Sequence, residues 1–238
     1  MSPADPNLAR IELIAAAWGP LRDQLVFVGG CAAGLLISDP AATPIRATLD
    51  VDLVVHVSVL ADYHKVEKEF ERLGFQRDLS REAPICRWKF RNIEVDLMPT
   101  EEGLLGFANR WYPLALETAR SMTLPSGTSI RLVSAPVFLG TKFEAFAGRG
   151  RGDLLGSHDL EDILSVIAGR TELIDEVAGA PANLRQYLGD QSRALMALPD
   201  FESYLPGLIQ DDSYGEQSDL VLERMRLIVG IGSVGKSS

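Results

Sequence analysis

Leu25-Val26-Phe27-Val28-Gly29-Gly30-Cys31-Ala32-Ala33, followed downstream by Leu49-Asp50-Val51-Asp52-Leu53-Val54-Val55, decides the fold class. The first stretch is a compact apolar run that stops at a glycine pair and resumes as small apolar residues. It reads as a strand over 25–28, a turn, and a buried helix over 31–37 that opens directly after the glycines. The second is β-branched and alternating, and reads as a strand over 49–57. Side chains alternate across a strand, so Asp50 and Asp52 share one face while Val51 and Leu53 share the other. Strand, glycine turn, helix and a second strand bearing D-x-D predict a mixed α/β fold.

The acidic pair needs a physical account. Two like charges side by side repel unless a cation sits between them. Solvated acids on an exposed sheet face are the plain alternative. Against it stand the apolar neighbours Leu53-Val54-Val55, and a third carboxylate in Ile93-Glu94-Val95-Asp96-Leu97, where Asp96 is flanked by Val95 and Leu97. Asp50, Asp52 and Asp96 on adjacent strands make an all-oxygen set suited to Mg²⁺ or Mn²⁺. Such a set can hold two ions about 4 Å apart, one activating an attacking hydroxyl and one binding a triphosphate. Gly29 and Gly30 suit a phosphate turn, because backbone N–H groups at a helix start bind anions and glycine permits close approach. Many strand–helix turns use Gly-Gly for packing alone.

The remaining chain organises around this core. A helix is predicted over 8–17, a loop over 39–48, a charged helix over 62–73 stopped by Gly74, strands over 86–91 and 93–98, and a last strand over 129–133. The segment 104–120 gives no clear pattern. After Pro136 the character turns helical, with helices over 137–147, 157–168, 182–198 and 217–231. The expected division is a catalytic core over 1–135 and a helical C-terminal domain over 136–238.

The 238 residues can bury a substantial core, and 46% hydrophobic with 24% charged residues is ordinary globular composition. Two cysteines, Cys31 and Cys86, form no zinc spacing and no disulfide framework. Apolar runs fall short of the roughly 20 residues that span a bilayer, and residues 1–10 lack signal-peptide order, so a cytoplasmic protein without membrane contact is expected. The formal net charge of −10 argues against broad nucleic-acid binding. Two local basic stretches stand out: Arg149 with Arg151, and Arg81, Arg87, Lys89 and Arg91.

With these residues in place, the sequence resembles the DNA polymerase β-type nucleotidyltransferase superfamily, and within it the AbiEii/AbiGii toxin-type nucleotidyltransferases. The resemblance is carried by Gly29-Gly30, by Arg46-Ala47-Thr48-Leu49-Asp50-Val51-Asp52, and by Lys142-Phe143-Glu144-Ala145-Phe146-Ala147-Gly148-Arg149 through Ser157-His158-Asp159-Leu160-Glu161-Asp162-Ile163, within residues 25–170. It implies a nucleotidyltransferase-fold mixed sheet core with a helical C-terminal domain. It further implies an NTP substrate, catalysis by Asp50, Asp52, Asp96 and Lys142, a tRNA 3′-end or other cellular acceptor, and a cognate antitoxin. Cys31 departs from the pattern, since Ser or Thr is common after the glycines and a thiol is a weak donor.

Lys142 lies amid Phe138, Leu139, Ala145 and Phe146 on an apolar helical face. Its ammonium must snorkel or meet an anion, and the resemblance implies that nucleotide phosphates supply it. Ser157 is a good N-cap with Asp159, Glu161 and Asp162 in the first turn. Asp159 and Asp162 serve the helix start, or orient Lys142, Arg149 or the acceptor. Arg46 and Thr48 contact phosphate or shape the loop. Gly230-Ile231-Gly232-Ser233-Val234-Gly235-Lys236-Ser237 matches a P-loop pattern, but no helix can follow it, so it reads as a frayed tail. The expected activity is nucleotidyl transfer from NTP to an RNA such as tRNA, in a toxin. The alternatives are nucleotidylation of a protein or small molecule, and a catalytically silent binding module or antitoxin.

Overall fold

A computed structural model describes residues 5–43, 45–57, 59–106, 108–149, 154–209 and 215–233, with the side chains of Pro20 and Arg149 excepted. The chain divides into two compact units: residues 6–32 with 46–134, and residues 1–5 with 33–45 and 135–238.

The first unit holds α1 (Leu8–Ala17), β1 (Leu25–Val28), β2 (Asp50–Val55), α3 (Leu60–Arg72), β3 (Gln76–Arg77), β4 (Arg87–Phe90), β5 (Ile93–Pro99), α4 (Glu102–Leu105), α5 (Tyr112–Glu117), β6 (Arg120–Thr123) and β7 (Ser129–Leu132); α2 (Ala33–Leu36) lies between β1 and β2 in the chain and groups with the second unit. Its seven strands form one mixed sheet in the order β3-β4-β5-β2-β1-β7-β6. β2 runs antiparallel to β1 and parallel to β5, placing Asp52 opposite both Val28 and Asp96, and Asp50 opposite Glu94. β4 runs antiparallel to β5, with Arg87 opposite Asp96.

Alternation gives this sheet two different faces. One carries Val51, Leu53, Val95, Leu97 and Trp88, all fully buried. There Phe70 of α3 meets Trp88 edge-on at 5.6 Å and Phe75 at 4.7 Å, while Phe75 meets Phe90 at 4.6 Å. The Tyr63 hydroxyl donates to the Leu97 carbonyl at 2.8 Å, which fixes α3 against β5. The other face carries the acids. α3 ends where Gly74, at φ +92°, turns the chain as only glycine does cheaply.

The second unit adds α6 (Ala135–Arg149), α7 (His158–Gly169), α8 (Leu173–Ala178), α9 (Ala182–Met196), α10 (Phe201–Leu208) and α11 (Glu216–Ser233) to α2. α9 and α11 approach so closely at Gly189 and Gly232 that a Cβ on Gly232 would lie 2.7 Å from the Arg185 carbonyl. The segment 33–45 joins these helices through Ser38 and Asp39, whose N–H groups donate to the Gly169 carbonyl at 3.0 and 2.9 Å. Arg224 closes the end of α7 by donating to the Ile167 and Ala168 carbonyls at 2.6 and 2.7 Å.

The helix expected over 31–37 is shorter than its composition suggests. Residues 30–32 form a 3-10 turn and only Ala33–Leu36 are α-helical. A four-residue helix has little macrodipole, so anion affinity at this turn rests on local N–H groups. Within the unpatterned segment 104–120 lies α5, with Pro113 in its first turn. Of the P-loop-like tail, Gly230–Ser233 belong to α11 and residues 234–238 lie outside the described residues. Among the described residues no helix is long and apolar enough to cross a membrane.

Candidate active site

Asp50, Asp52 and Asp96 meet on the polar face of the sheet. One carboxylate oxygen from each lies within 4.8 Å of the others. The register explains the meeting: β2 supplies two acids at the i, i+2 spacing, and its parallel partner β5 supplies the third directly opposite Asp52. Asp96 is buried, whereas Asp50 and Asp52 are half-buried.

The glycine turn touches this group. Gly29 sits at φ +67°, and a Cβ there would overlap the Asp52 carboxylate and lie 2.6 Å from the Asp52 Cβ. Glycine is therefore required both by the left-handed backbone and by the space Asp52 occupies. Gly30 is buried in the 3-10 turn, and Ala32 N–H donates to the Gly29 carbonyl at 3.2 Å. Cys31 is buried, with its thiol donating to the Val28 carbonyl at 3.5 Å.

The loop before β2 is held by Asn7. Its Nδ2 donates to the Arg46 carbonyl at 3.1 Å, and its Oδ1 accepts from the Thr48 N–H at 2.8 Å. The buried Thr48 hydroxyl donates to the Asp50 carbonyl at 3.1 Å. Thr48 thus shapes the approach to Asp50, while Arg46 is half-buried.

Arg87 is the residue of this site that reading the sequence did not single out. In the sequence it is one of the basic stretch Arg81, Arg87, Lys89 and Arg91. The β4–β5 hairpin instead turns Arg87 and Lys89 onto the acidic face. Arg87 Nε and Nη2 donate to the two oxygens of Asp96, both at 2.8 Å. Nη2 also reaches Asp50 Oδ2 at 3.3 Å, and Nη1 reaches Glu94 Oε2 at 2.6 Å. A bidentate guanidinium–carboxylate pair is among the strongest polar contacts in proteins. The hydrogen bonds donated to Asp96, opposed by burial and aided by the charges of Asp96, Glu94 and Asp50, raise the Arg87 pKa further above its ordinary value. The signal available in the sequence was the hairpin itself, with R-x-K facing E-x-D across the Arg91–Asn92 turn. Lys89 pairs with Asp78 at 2.8 Å, and the Arg91 guanidinium lies over the Phe90 ring at 5.7 Å. Arg151 and the Arg149 side chain lie outside the described residues.

Beside this group Cys86 is buried, and burial followed by the Asp96 charge pushes its thiol up to about 12. It is a neutral wall residue.

Lys142, Asp159 and Asp162 form a buried cluster within the helical unit. The ammonium lies 3.1 Å from Asp159 Oδ1, 2.7 Å from Asp162 Oδ2 and 5.9 Å from the centre of the Phe138 ring. The anion that burial of Lys142 demands is supplied by the chain itself. Ser157 caps α7 by accepting from the Leu160 N–H at 3.3 Å, and His158 pairs with Glu161 at 3.0 Å.

The donor set on the sheet fits a hard divalent cation: three convergent carboxylates, with a glycine where any side chain would displace one of them. No protein-family model and no curated protein matches the sequence. Among solved structures, the chain is similar to an antigenic nucleotidyltransferase-like protein from Paracoccidioides brasiliensis, at 22% identity and a TM-score of 0.50, covering 88% of this chain and 96% of that one. JHP933 from Helicobacter pylori aligns at 14% identity and a TM-score of 0.48 over 97% of this chain and 94% of its own. The mixed seven-stranded sheet with its helices is a nucleotidyltransferase-like fold.

Proposed function

We propose that the chain is a metal-dependent nucleotidyltransferase that moves a nucleotidyl group from an NTP to an acceptor hydroxyl, with pyrophosphate leaving. The observation that carries this reading is the convergence of Asp50, Asp52 and Asp96 beside the side-chain-free turn at Gly29. These three residues would hold Mg²⁺ or Mn²⁺, which when bound neutralises triphosphate charge and makes an acceptor hydroxyl more acidic. Asp50 and Asp52 are assigned to both ions. Asp96 is assigned to the nucleophile side, where it favours loss of the acceptor proton. Gly29 and Gly30 let phosphate oxygens approach the backbone, whose N–H groups bind them. Cys31 and Arg46 flank this turn and the loop into β2, and Thr48 positions Asp50. Lys142 is a proposed phosphate contact held by Asp159 and Asp162; the support for it is the family resemblance.

We assign the acceptor as RNA, with the tRNA 3′ end first, and the role as the toxin of a pair with a cognate antitoxin. The support is the toxin-type resemblance in residues 46–52 and 142–163.

The test incubates purified protein and its D50A/D52A variant with each labelled NTP, Mg²⁺ and total cellular RNA. Label in RNA from the wild type alone supports the reading, and the best NTP defines the donor. Label in a protein band moves the acceptor to a protein. No label from any NTP, with lysate supplied as acceptor, leaves the silent binding module.

A further inference from the structure

β4 is held in the sheet by contacts other than the Arg87 side chain. β4 already pairs with β5 along its whole length, and Trp88 and Phe90 anchor it on the opposite face. The Arg87 side chain is committed instead to three of the acids that crowd the candidate metal site: both oxygens of Asp96, one of Asp50 and one of Glu94. Two of those three, Asp96 and Asp50, belong to the metal-ligating set, and the third does not. Carboxylates this close repel one another strongly without a cation. A guanidinium donating to both Asp96 oxygens and to Asp50 supplies that cation from within the chain, on two of the carboxylates a divalent ion would use. Glu94 stands at the far side of the guanidinium, 2.6 Å from Nη1, where it can keep Arg87 when the other contacts are given up.

We propose that Arg87 is a resident counter-cation that competes with metal for Asp50 and Asp96, yields them when metal binds, and is retained on Glu94. The site then stays ordered before metal arrives, and metal affinity is set by the contest with Arg87. This rests on the reading of Asp50, Asp52 and Asp96 as a metal site. Released from Asp96 but held beside it, the guanidinium is placed to meet negative charge on a bound triphosphate.

The test uses Mn²⁺ alone, without nucleotide. Binding is measured calorimetrically for the wild type, R87Q and D52N. In parallel, the Arg87 Nε–H resonance of the wild type, assigned by its loss in R87Q, is followed during Mg²⁺ titration. The expected result is Mn²⁺ binding about tenfold tighter or more in R87Q than in the wild type, since a lost competing charge-assisted pair is worth at least one decade. The Nε–H resonance should move at saturating Mg²⁺ as its Asp96 acceptor is lost. If R87Q unfolds without metal, Mn²⁺ should restore its folding, and the wild-type resonance carries the test. Equal affinity in R87Q with a resonance that stays fixed while Mg²⁺ demonstrably binds would overturn the competition and leave the metal site standing. No Mn²⁺ binding by wild type or R87Q, or binding unchanged in D52N, would overturn the metal site itself and the competition with it.

Discussion

Replacing Gly29 with alanine would put a methyl group where the Asp52 side chain already is. The three nearest atoms to that methyl all belong to Asp52, and the closest approach lies inside any real carbon contact. Two costs follow. Alanine at φ +67° carries a left-handed penalty of roughly 1–2 kcal/mol. Asp52 must then leave its rotamer or its strand must shift, which adds roughly 1 kcal/mol. G29A should therefore lose roughly 2–3 kcal/mol in urea unfolding, by addition of those two estimates. The two parts can be separated by a double-mutant cycle. In a D52G background the clash is gone, so the same G29A substitution should cost only the backbone part, roughly 1–2 kcal/mol. G29A should also weaken Mn²⁺ binding, since Asp52 is one of the ligands. A G29A protein as stable as wild type, or a cost identical in both backgrounds with Mn²⁺ affinity unchanged, would refute the close packing of Gly29 on Asp52.

Three further outcomes are expected. K142M leaves Asp159 and Asp162 buried without their cation and should destabilise by about 3–5 kcal/mol in urea unfolding, with K142M/D162N recovering part of it; a loss below about 1 kcal/mol would show that the cluster is not buried as described. S157A removes the α7 cap and should cost about 1 kcal/mol by the same measurement, and a neutral result would deny the cap. The Lys89 hydrogen bond, then the Ser80 backbone N–H, hold Asp78 down to about 2. A lowered folded pKa stabilises above the ordinary carboxylate range and is lost as pH falls through the folded value. The stability gap between wild type and D78N should thus be constant at neutral pH and close between about pH 4 and about pH 2; a gap that persists to the lowest pH would contradict it.

How far the sequence spoke depended on how local each signal was. Leu25–Val28, Asp50–Val55 and Ile93–Pro99 are short apolar or alternating runs bounded by turn residues, and their strand character was readable directly. So was the helix start at Ser157, because a cap acts within one turn. β3 was not readable, since two polar residues carry no period. Nor was β6, whose exposed residues Arg120, Ser121 and Thr123 bury no face. α8 has only 6 residues, and α10 has 8 with Pro206 inside, so neither carries the repeat that marks a longer helix. The convergence of Asp50, Asp52 and Asp96 was partly legible: the i, i+2 spacing is local, but the pairing of β2 with β5 is not. Arg87 shows the limit most clearly. Its neighbours in sequence made it part of a basic stretch, and only the β4–β5 register places it against three carboxylates, Asp96, Asp50 and Glu94. Lys142 shows the reverse: its burial was legible, and of the roles read for Asp159 and Asp162, a helix away, the one that pairs them with Lys142 is the contact observed.

The most direct test of nucleotidyl transfer at Asp50, Asp52 and Asp96 is to follow α-labelled and γ-labelled forms of the best NTP with the wild type and with D52A. The account predicts α-label in the acceptor, γ-label in released pyrophosphate, and neither with D52A. Transfer of γ-label to the acceptor, or α-label transfer that survives D52A, would contradict it.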